Sequence, residues 1–155
     1  MAAREISLDT FYHQYQANDP PPGVFVAGMR LPRAARGARV GSHKWSKRFD
    51  QDISAVCTAY RLELDGDVVR DFRMSCGGLA ATVRRATRCE SAVLGQPWSD
   101  ATVEAACDAL AQDFQPISDM RASAAMRLVA VQNLLRRFHL ETTGEAPQTV
   151  YNYGR

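Results

Sequence analysis

The stretch KWSKRFDQDI, from Lys44 to Ile53, concentrates the side chains best suited to binding chemistry, with three cations, two carboxylates and two aromatics. Aromatic residues are unusual in a solvated loop, because apolar area left in water forfeits about 25 cal/mol per Å² of possible burial. Two interpretations follow. The stretch is either an amphipathic edge strand and turn whose charges face water, or a loop that presents Lys, Arg and Asp to an anionic or polar ligand. Residue types alone leave both open.

The other candidates for chemistry are four cysteines and three histidines, and they form no known motif. The cysteine spacings of 19, 13 and 18 contain no CxxC pair and fit no common zinc or iron–sulfur pattern. We therefore predict no metal site and interpret each cysteine as a small buried apolar side chain. Glycine motifs for dinucleotides, phosphates or a nucleophile elbow are also missing from the sequence. These cysteines are Cys57, Cys76, Cys89 and Cys107.

Composition limits the possible partners. A chain of 155 residues can form one domain with a core, or a domain and part of another. The net charge of +2 and the scattered arginines argue against a nucleic-acid partner. No apolar run approaches the roughly 18 residues of a membrane helix. The N-terminus lacks the layout of a secretory signal, so a cytoplasmic location is expected.

The first half of the chain predicts strands. A short amphipathic piece over 8–15 precedes the prolines of 20–22, and a strand is predicted from Val24 to the residue before Pro32. A basic linker over 33–39 leads to strands over 39–47 and 53–64. Asp65-Gly66 then predicts a hairpin turn. The returning strand alternates, with Val68, Phe72, Met74 and Cys76 on one face and Arg70 as the one polar exception.

The second half predicts three helices. The first follows a Thr82 cap and ends near residue 94, and the second follows a Ser99 cap. The apolar stripe of the second is Val103, Ala106, Cys107, Leu110 and Phe114. The third spans about 122–141, with Leu128, Val131, Leu135 and Phe138 inward and Arg127, Arg136 and Arg137 facing solvent. This order predicts an α+β fold: an antiparallel three- to four-stranded sheet followed by about three helices packed on one face.

Four segments carry a family resemblance: KWSKRFDQDISA from Lys44, FRMSCGGLAAT from Phe72, GQPW from Gly95 and DMRASAAMR from Asp119. In this order they resemble the C-terminal part of the FAD-binding subunit of bacterial xanthine dehydrogenase. That part contains the CO dehydrogenase flavoprotein C-terminal domain of the molybdenum hydroxylases. The resemblance implies that residues 1–33 end the main FAD-binding domain and form a linker, that 34–144 form the C-terminal-like domain, and that 145–155 are a tail.

The resemblance also implies a function. In such oxidoreductases of purine catabolism, electrons pass from molybdopterin through [2Fe–2S] clusters to FAD and then to NAD. This chain would complete the flavin site and would be inactive alone. Its implied partners are the remainder of the FAD and iron–sulfur subunit and the large molybdopterin-binding subunit. The alternatives are a stand-alone assembly module that docks on a separate flavoprotein, and a non-enzymatic small-ligand-binding domain.

The resemblance implies two residues of this chain as flavin contacts. Val26 would pack against the cofactor, and Lys44 would place a positive charge near a ring system that gains negative charge on reduction. Arg48 and Asp50 match a segment that lies beside the flavin in animal relatives and influences NAD⁺ access. Phe49 stands where the family has an arginine, which argues against that gating role.

Overall fold

A computed structural model describes residues 3–18, 20–48 and 53–144. Its main sheet has four antiparallel strands in the order β3-β4-β5-β6, and a separate ribbon pairs β1 with β2. Helices α2, α3 and α4 follow the strands, which confirms the predicted α+β architecture. In chain order the elements are α1 (Leu8–Phe11), β1 (Tyr12–Gln14), β2 (Ala17–Asn18), β3 (Arg39–Trp45), β4 (Val56–Asp65), β5 (Val68–Gly77), β6 (Arg84–Arg85), α2 (Thr87–Val93), α3 (Asp100–Asp113) and α4 (Ala124–Thr143).

The hairpin of β4 and β5 confirms the predicted Asp65-Gly66 turn, where Gly66 takes a positive φ of 59°. Its register shifts once: Leu64 faces Val69, whereas Glu63 faces Asp71. Arg70 is therefore an extra residue, a β-bulge that resets the alternation. This explains the polar exception, and it corrects one assignment, because Val69 is buried and Val68 is exposed.

The first long helix begins later than the sequence predicted. Residues 84–85 form β6 beside Ser75 and Cys76, and the Ala86 amide continues the pairing by donating to the Met74 carbonyl. Only then does α2 begin, without a side-chain cap of its own. The Asp113 carboxylate on α3 accepts from the amides at 88 and 89 instead. The predicted Thr82 cap is wrong because the backbone of residues 84–86 is already hydrogen-bonded to β5.

The other two helices confirm the predicted Ser99 cap and most of the predicted apolar stripes. Ser99 accepts from the Thr102 amide at the start of α3, and every residue of the predicted α3 stripe is buried. In α4 Leu128 is only half-buried, whereas the other three inward residues are buried. Phe138 of α4 stacks on Tyr60 of β4, with centroids 4.5 Å apart and planes 9° apart. The core therefore lies between the helices and one face of the sheet.

The predicted strand over 24–31 is wrong, because the described structure has no strand there. A strand needs a neighbour for its backbone hydrogen bonds, and neither sheet extends to this segment. Phe25, Met29 and Leu31 are each at least 80% exposed. Arg30 forms an exposed ion pair with Glu5.

The cysteine prediction is right at three positions: Cys76, Cys89 and Cys107 are buried. It is wrong at Cys57, which is exposed because it points to the sheet face away from the helices. The predicted tail over 145–155 and the centre of the Lys44–Ile53 stretch, residues 49–52, lie outside the described residues. None of the helices in the described ranges is long and apolar enough to cross a membrane.

Candidate functional site

The sheet has one face covered by helices and one open face, and Lys44 lies on the open one. Strand register places Lys44 opposite Cys57 and Ser42 opposite Ala59, and these four residues are exposed. On β5, Gly77 lies opposite Cys57 and Ser75 lies opposite Ala59. We name this set the outer patch: Ser42, Lys44, Cys57, Ala59, Ser75 and Gly77. It presents small side chains around one ammonium group, which suits a flat, electron-rich ligand.

Beyond the outer patch, the same face carries a group of paired charges. Arg61 donates to Asp71 at 2.6 Å and also to Glu63, which accepts from Arg70 as well. The hydrogen bond from Arg70, followed by the charge of Arg61, lowers the pKa of Glu63. Arg73 lies 3.5 Å from Asp71. Two carboxylates thus pair with these three guanidinium groups, so this region is a structural ion-pair network.

The predicted site residues are distributed unevenly. Lys44 lies near the end of β3, and Arg48 is exposed just beyond that strand. Val26 is 60% exposed in the irregular segment before β3, so it belongs to neither sheet. Asp50 lies outside the described residues. The binding roles of these four residues remain predictions.

The residue that sequence reasoning misplaced is Arg127, which was expected to face solvent and is 3% exposed. Its guanidinium donates to the Ala55 carbonyl, to the Gly78 carbonyl at 2.7 Å and to Asp119 Oδ1 at 2.6 Å. The first turns of α4 cover the end of the sheet, where two loops present carbonyls that need donors. A usable signal was present, since Asp119 and Arg127 open and close one family-like segment, DMRASAAMR.

Asp119 completes this arrangement as a carboxylate that stays ionised near neutral pH. Its carboxylate accepts from the Arg121 amide at 2.8 Å and from the Ala122 amide at 3.2 Å. The Arg121 amide, followed by the Arg127 side chain, lowers the pKa of Asp119 to about 2. A carboxylate held this way is poorly suited to general acid–base chemistry near neutral pH, so Asp119 has a structural role.

Gly78 brings the two loops into contact. It has a φ of +83°, and a Cβ placed there would lie 2.2 Å from the Ala55 carbonyl oxygen. We call the set Ala55, Gly78, Asp119 and Arg127 the arginine junction. It joins the end of the Lys44–Ile53 stretch, the glycine turn after β5 and the loop before α4.

A concave region begins at Leu79, the residue that follows Gly78 of the junction. It is an open groove of about 440 Å³, lined by the loop after β5 and the end of α3. Both carboxylate oxygens of Asp113, in its lining, already accept amides of α2. In the described ranges no three His, Cys, Asp or Glu residues are grouped so that they could hold a metal ion.

Comparison with known proteins identifies the domain. Residues 42–142 match the family described as the CO dehydrogenase flavoprotein C-terminal domain. The chain belongs to this family. The matched region contains Lys44 and the whole arginine junction, whereas Val26 lies outside it.

Curated relatives are longer than this chain. It is 33% identical over 113 residues to xanthine dehydrogenase of Emericella nidulans, covering 71% of this chain and 8% of the relative. It is 29% identical over 123 residues to the xanthine dehydrogenase FAD-binding subunit of Escherichia coli O157:H7, covering 79% of this chain and 42% of the relative. The chain thus spans less than half the length of either relative.

Solved structures support the fold. A chain of the reconstituted CO dehydrogenase from Oligotropha carboxidovorans superposes with a TM-score of 0.80 at 19% identity. The match covers 89% of this chain and 48% of that chain.

Proposed function

We propose that this chain is the C-terminal domain of the FAD-bearing subunit of a xanthine dehydrogenase, in which it completes a flavin site built mainly by the rest of that subunit. The observation that carries the proposal is the exposed Lys44 within the outer patch, inside the region that matches the flavoprotein family. Bound FAD would pass electrons from molybdopterin and [2Fe–2S] centres to NAD.

The outer patch fits this cofactor. The residues beside Lys44 in this patch are small, so a planar ring can approach the strands there, and Val83, whose Cγ2 would lie 3.6 Å from a Cβ at Gly77, bounds the patch on the β5 side. An ammonium group beside such a ring favours the form that carries more negative charge. Val26 would add apolar contact from the preceding segment, whose exposed side chains suit packing against the remainder of the subunit.

The isolated chain is proposed to be inactive. Its partners would be the remainder of the FAD and iron–sulfur subunit, the molybdopterin-binding large subunit and NAD at the flavin. The assembled enzyme would act in the cytoplasm, in purine catabolism. The NAD-gating role of Arg48 and Asp50 stays a prediction, against which Phe49 argues.

A titration with FAD, monitored through the quenching of flavin fluorescence, tests the proposal. The 155-residue chain alone should bind FAD more weakly than about 100 μM, at most roughly −5.5 kcal/mol. In the assembled flavoprotein, Lys44→Met should weaken FAD binding about tenfold, or about 1.4 kcal/mol. Arg73→Met is the matched control, since it removes a cation from the same sheet face outside the outer patch, and it should change the affinity less than twofold.

Two results would contradict the proposal. Tight, Lys44-dependent binding by the chain alone would show that the domain holds a flavin by itself. Equal FAD affinity of the Lys44→Met variant and the unmodified assembly would remove Lys44 from the flavin site.

The exposed segment 24–31 also favours a second candidate, a stand-alone module that docks on a separate flavoprotein. Native mass spectrometry of the assembled flavoprotein distinguishes the two. A covalent continuation upstream of this chain supports the domain, and a noncovalent complex with a 17.1 kDa component supports the module.

A further inference from the structure

Arg127 of the arginine junction is a buried cation, and one of its hydrogen bonds reaches Ala55, just beyond the stretch that begins with the candidate flavin contact Lys44. We propose that Arg127 is a positioning residue, which fixes Lys44 toward the flavin through the backbone of Ala55 and Trp45. This inference rests on the proposed function, which it deepens by naming the device that orients the lysine.

The first link joins Arg127 to the two ends of the Lys44–Ile53 stretch through Ala55 and Trp45. Arg127 donates to the Ala55 carbonyl, and the Ala55 amide donates to the Trp45 carbonyl at 2.9 Å. Trp45 directly follows Lys44 and packs against the core. A displacement of Ala55 is therefore passed to the strand end that bears Lys44.

The second link runs through the loop before α4. Asp119 is held by Arg127 and by two backbone amides, and it fixes the turn that contains Met120. The Met120 carbonyl accepts from Lys47 Nζ at 3.3 Å. The Lys44–Ile53 stretch is thus connected to the junction both near its start and just beyond its end.

The third contact leaves the junction little room to adjust. Gly78 approaches the Ala55 carbonyl so closely that no side chain fits between them. The guanidinium of Arg127 binds both carbonyls with one nitrogen and Asp119 with another. A lysine has a single ammonium group and lacks this planar fork, so it cannot reproduce the geometry.

A double-mutant cycle in the assembled flavoprotein tests the inference. We expect Arg127→Lys and Lys44→Met each to weaken FAD binding about tenfold. Because Arg127 acts through Lys44, the double variant should be no weaker than Lys44→Met alone. Arg136→Met is the matched control: Arg136 lies on the same helix and forms an exposed pair with Glu104, so the affinity should stay within twofold.

A second readout reports on the loop directly, in the 155-residue chain. Arg127→Lys should accelerate hydrogen exchange of the Ala55 amide at least tenfold. The Val69 amide, which donates to the Gln96 carbonyl at 2.9 Å, should be unchanged. If Arg127→Lys does not fold, Asp119→Asn replaces it in both experiments with the same expected directions.

The outcomes separate the two proposals. If Lys44→Met weakens FAD binding but Arg127→Lys does not, or if the two effects multiply to about a hundredfold, this inference is overturned and the proposed function stands. If Lys44→Met has no effect, the proposed function fails, and the flavin part of this inference fails with it. Unchanged exchange at Ala55 would overturn the junction as the device that holds the loop.

Discussion

Replacing Gly78 with alanine tests the arginine junction most sharply, because a second glycine provides the control. Gly78 and Gly95 both have positive φ, at +83° and +73°. A Cβ at Gly95 would meet nothing within 4 Å, whereas one at Gly78 would lie 2.2 Å from the Ala55 oxygen. The left-handed backbone costs alanine about 1–2 kcal/mol at either position. The difference between the two variants therefore isolates the close contact.

The additional cost at Gly78 follows from that distance. Carbon–oxygen contacts normally begin at about 3.3 Å, so the two loops must separate by about 1 Å. Such a shift breaks at least one hydrogen bond from Arg127 to a carbonyl, and bonds of this charged type contribute about 1.5–3 kcal/mol. We expect Gly78→Ala to lower the free energy of unfolding by about 2.5–5 kcal/mol and Gly95→Ala by about 1–2 kcal/mol.

Urea denaturation followed by tryptophan fluorescence and far-ultraviolet circular dichroism measures both variants. A difference of about 1.5–3 kcal/mol corresponds to roughly 3–12 °C in melting temperature for a chain of this size. The reasoning is refuted if the two variants lie within about 0.5 kcal/mol of each other, because the junction would then accommodate a methyl group without loss.

Two further predictions concern Asp119 and the segment over 24–31. Because the folded-state pKa of Asp119 lies below its ordinary value, at about 2, its stabilising effect is complete above pH 4 and is lost as the pH falls toward 2. Asp119→Asn should therefore have a lower urea midpoint at pH 7, with a gap that closes toward pH 2; a constant gap contradicts this. The exposed side chains of Phe25, Met29 and Leu31 should make the chain self-associate. Sedimentation velocity should then show an apparent mass that rises with protein concentration. The double variant Phe25→Ser, Leu31→Ser should abolish this rise. A concentration-independent monomer contradicts it.

Local patterns predicted the parts of the fold that depend on near neighbours in sequence. The hairpin turn at Asp65-Gly66 and the Ser99 cap depend on a few adjacent residues, and the apolar stripe of α3 follows helical periodicity. The Thr82 cap failed because residues 84–85 pair with β5, and Asp113, distant in sequence, supplies the acceptor at the later start of α2. The strand over 24–31 failed because a strand also needs a partner, which local pattern does not reveal.

The site was predictable only in part. Residue types and family resemblance directed attention to Lys44, and the structure places it on the open face of the sheet. Arg127 was misplaced because helical periodicity treats an arginine as a surface residue. Its burial depends on two loop carbonyls and on Asp119, which only the folded chain brings together. The bulge at Arg70 likewise appears in the sequence only as a break in alternation.

The most direct test of the account is alkylation of Cys57 with iodoacetamide in the assembled flavoprotein, with and without saturating FAD. Cys57 lies opposite Lys44 on the same open face, so their Cβ atoms are separated by about 4.5–5.5 Å. Cys76, Cys89 and Cys107 are buried; burial raises the pKa of all three, to about 11 for Cys107, so labelling is selective within this chain. If the outer patch receives the flavin, FAD should slow labelling of the Cys57 peptide at least tenfold, as measured by mass spectrometry. An unchanged rate at saturating FAD would contradict the placement of the flavin at Lys44.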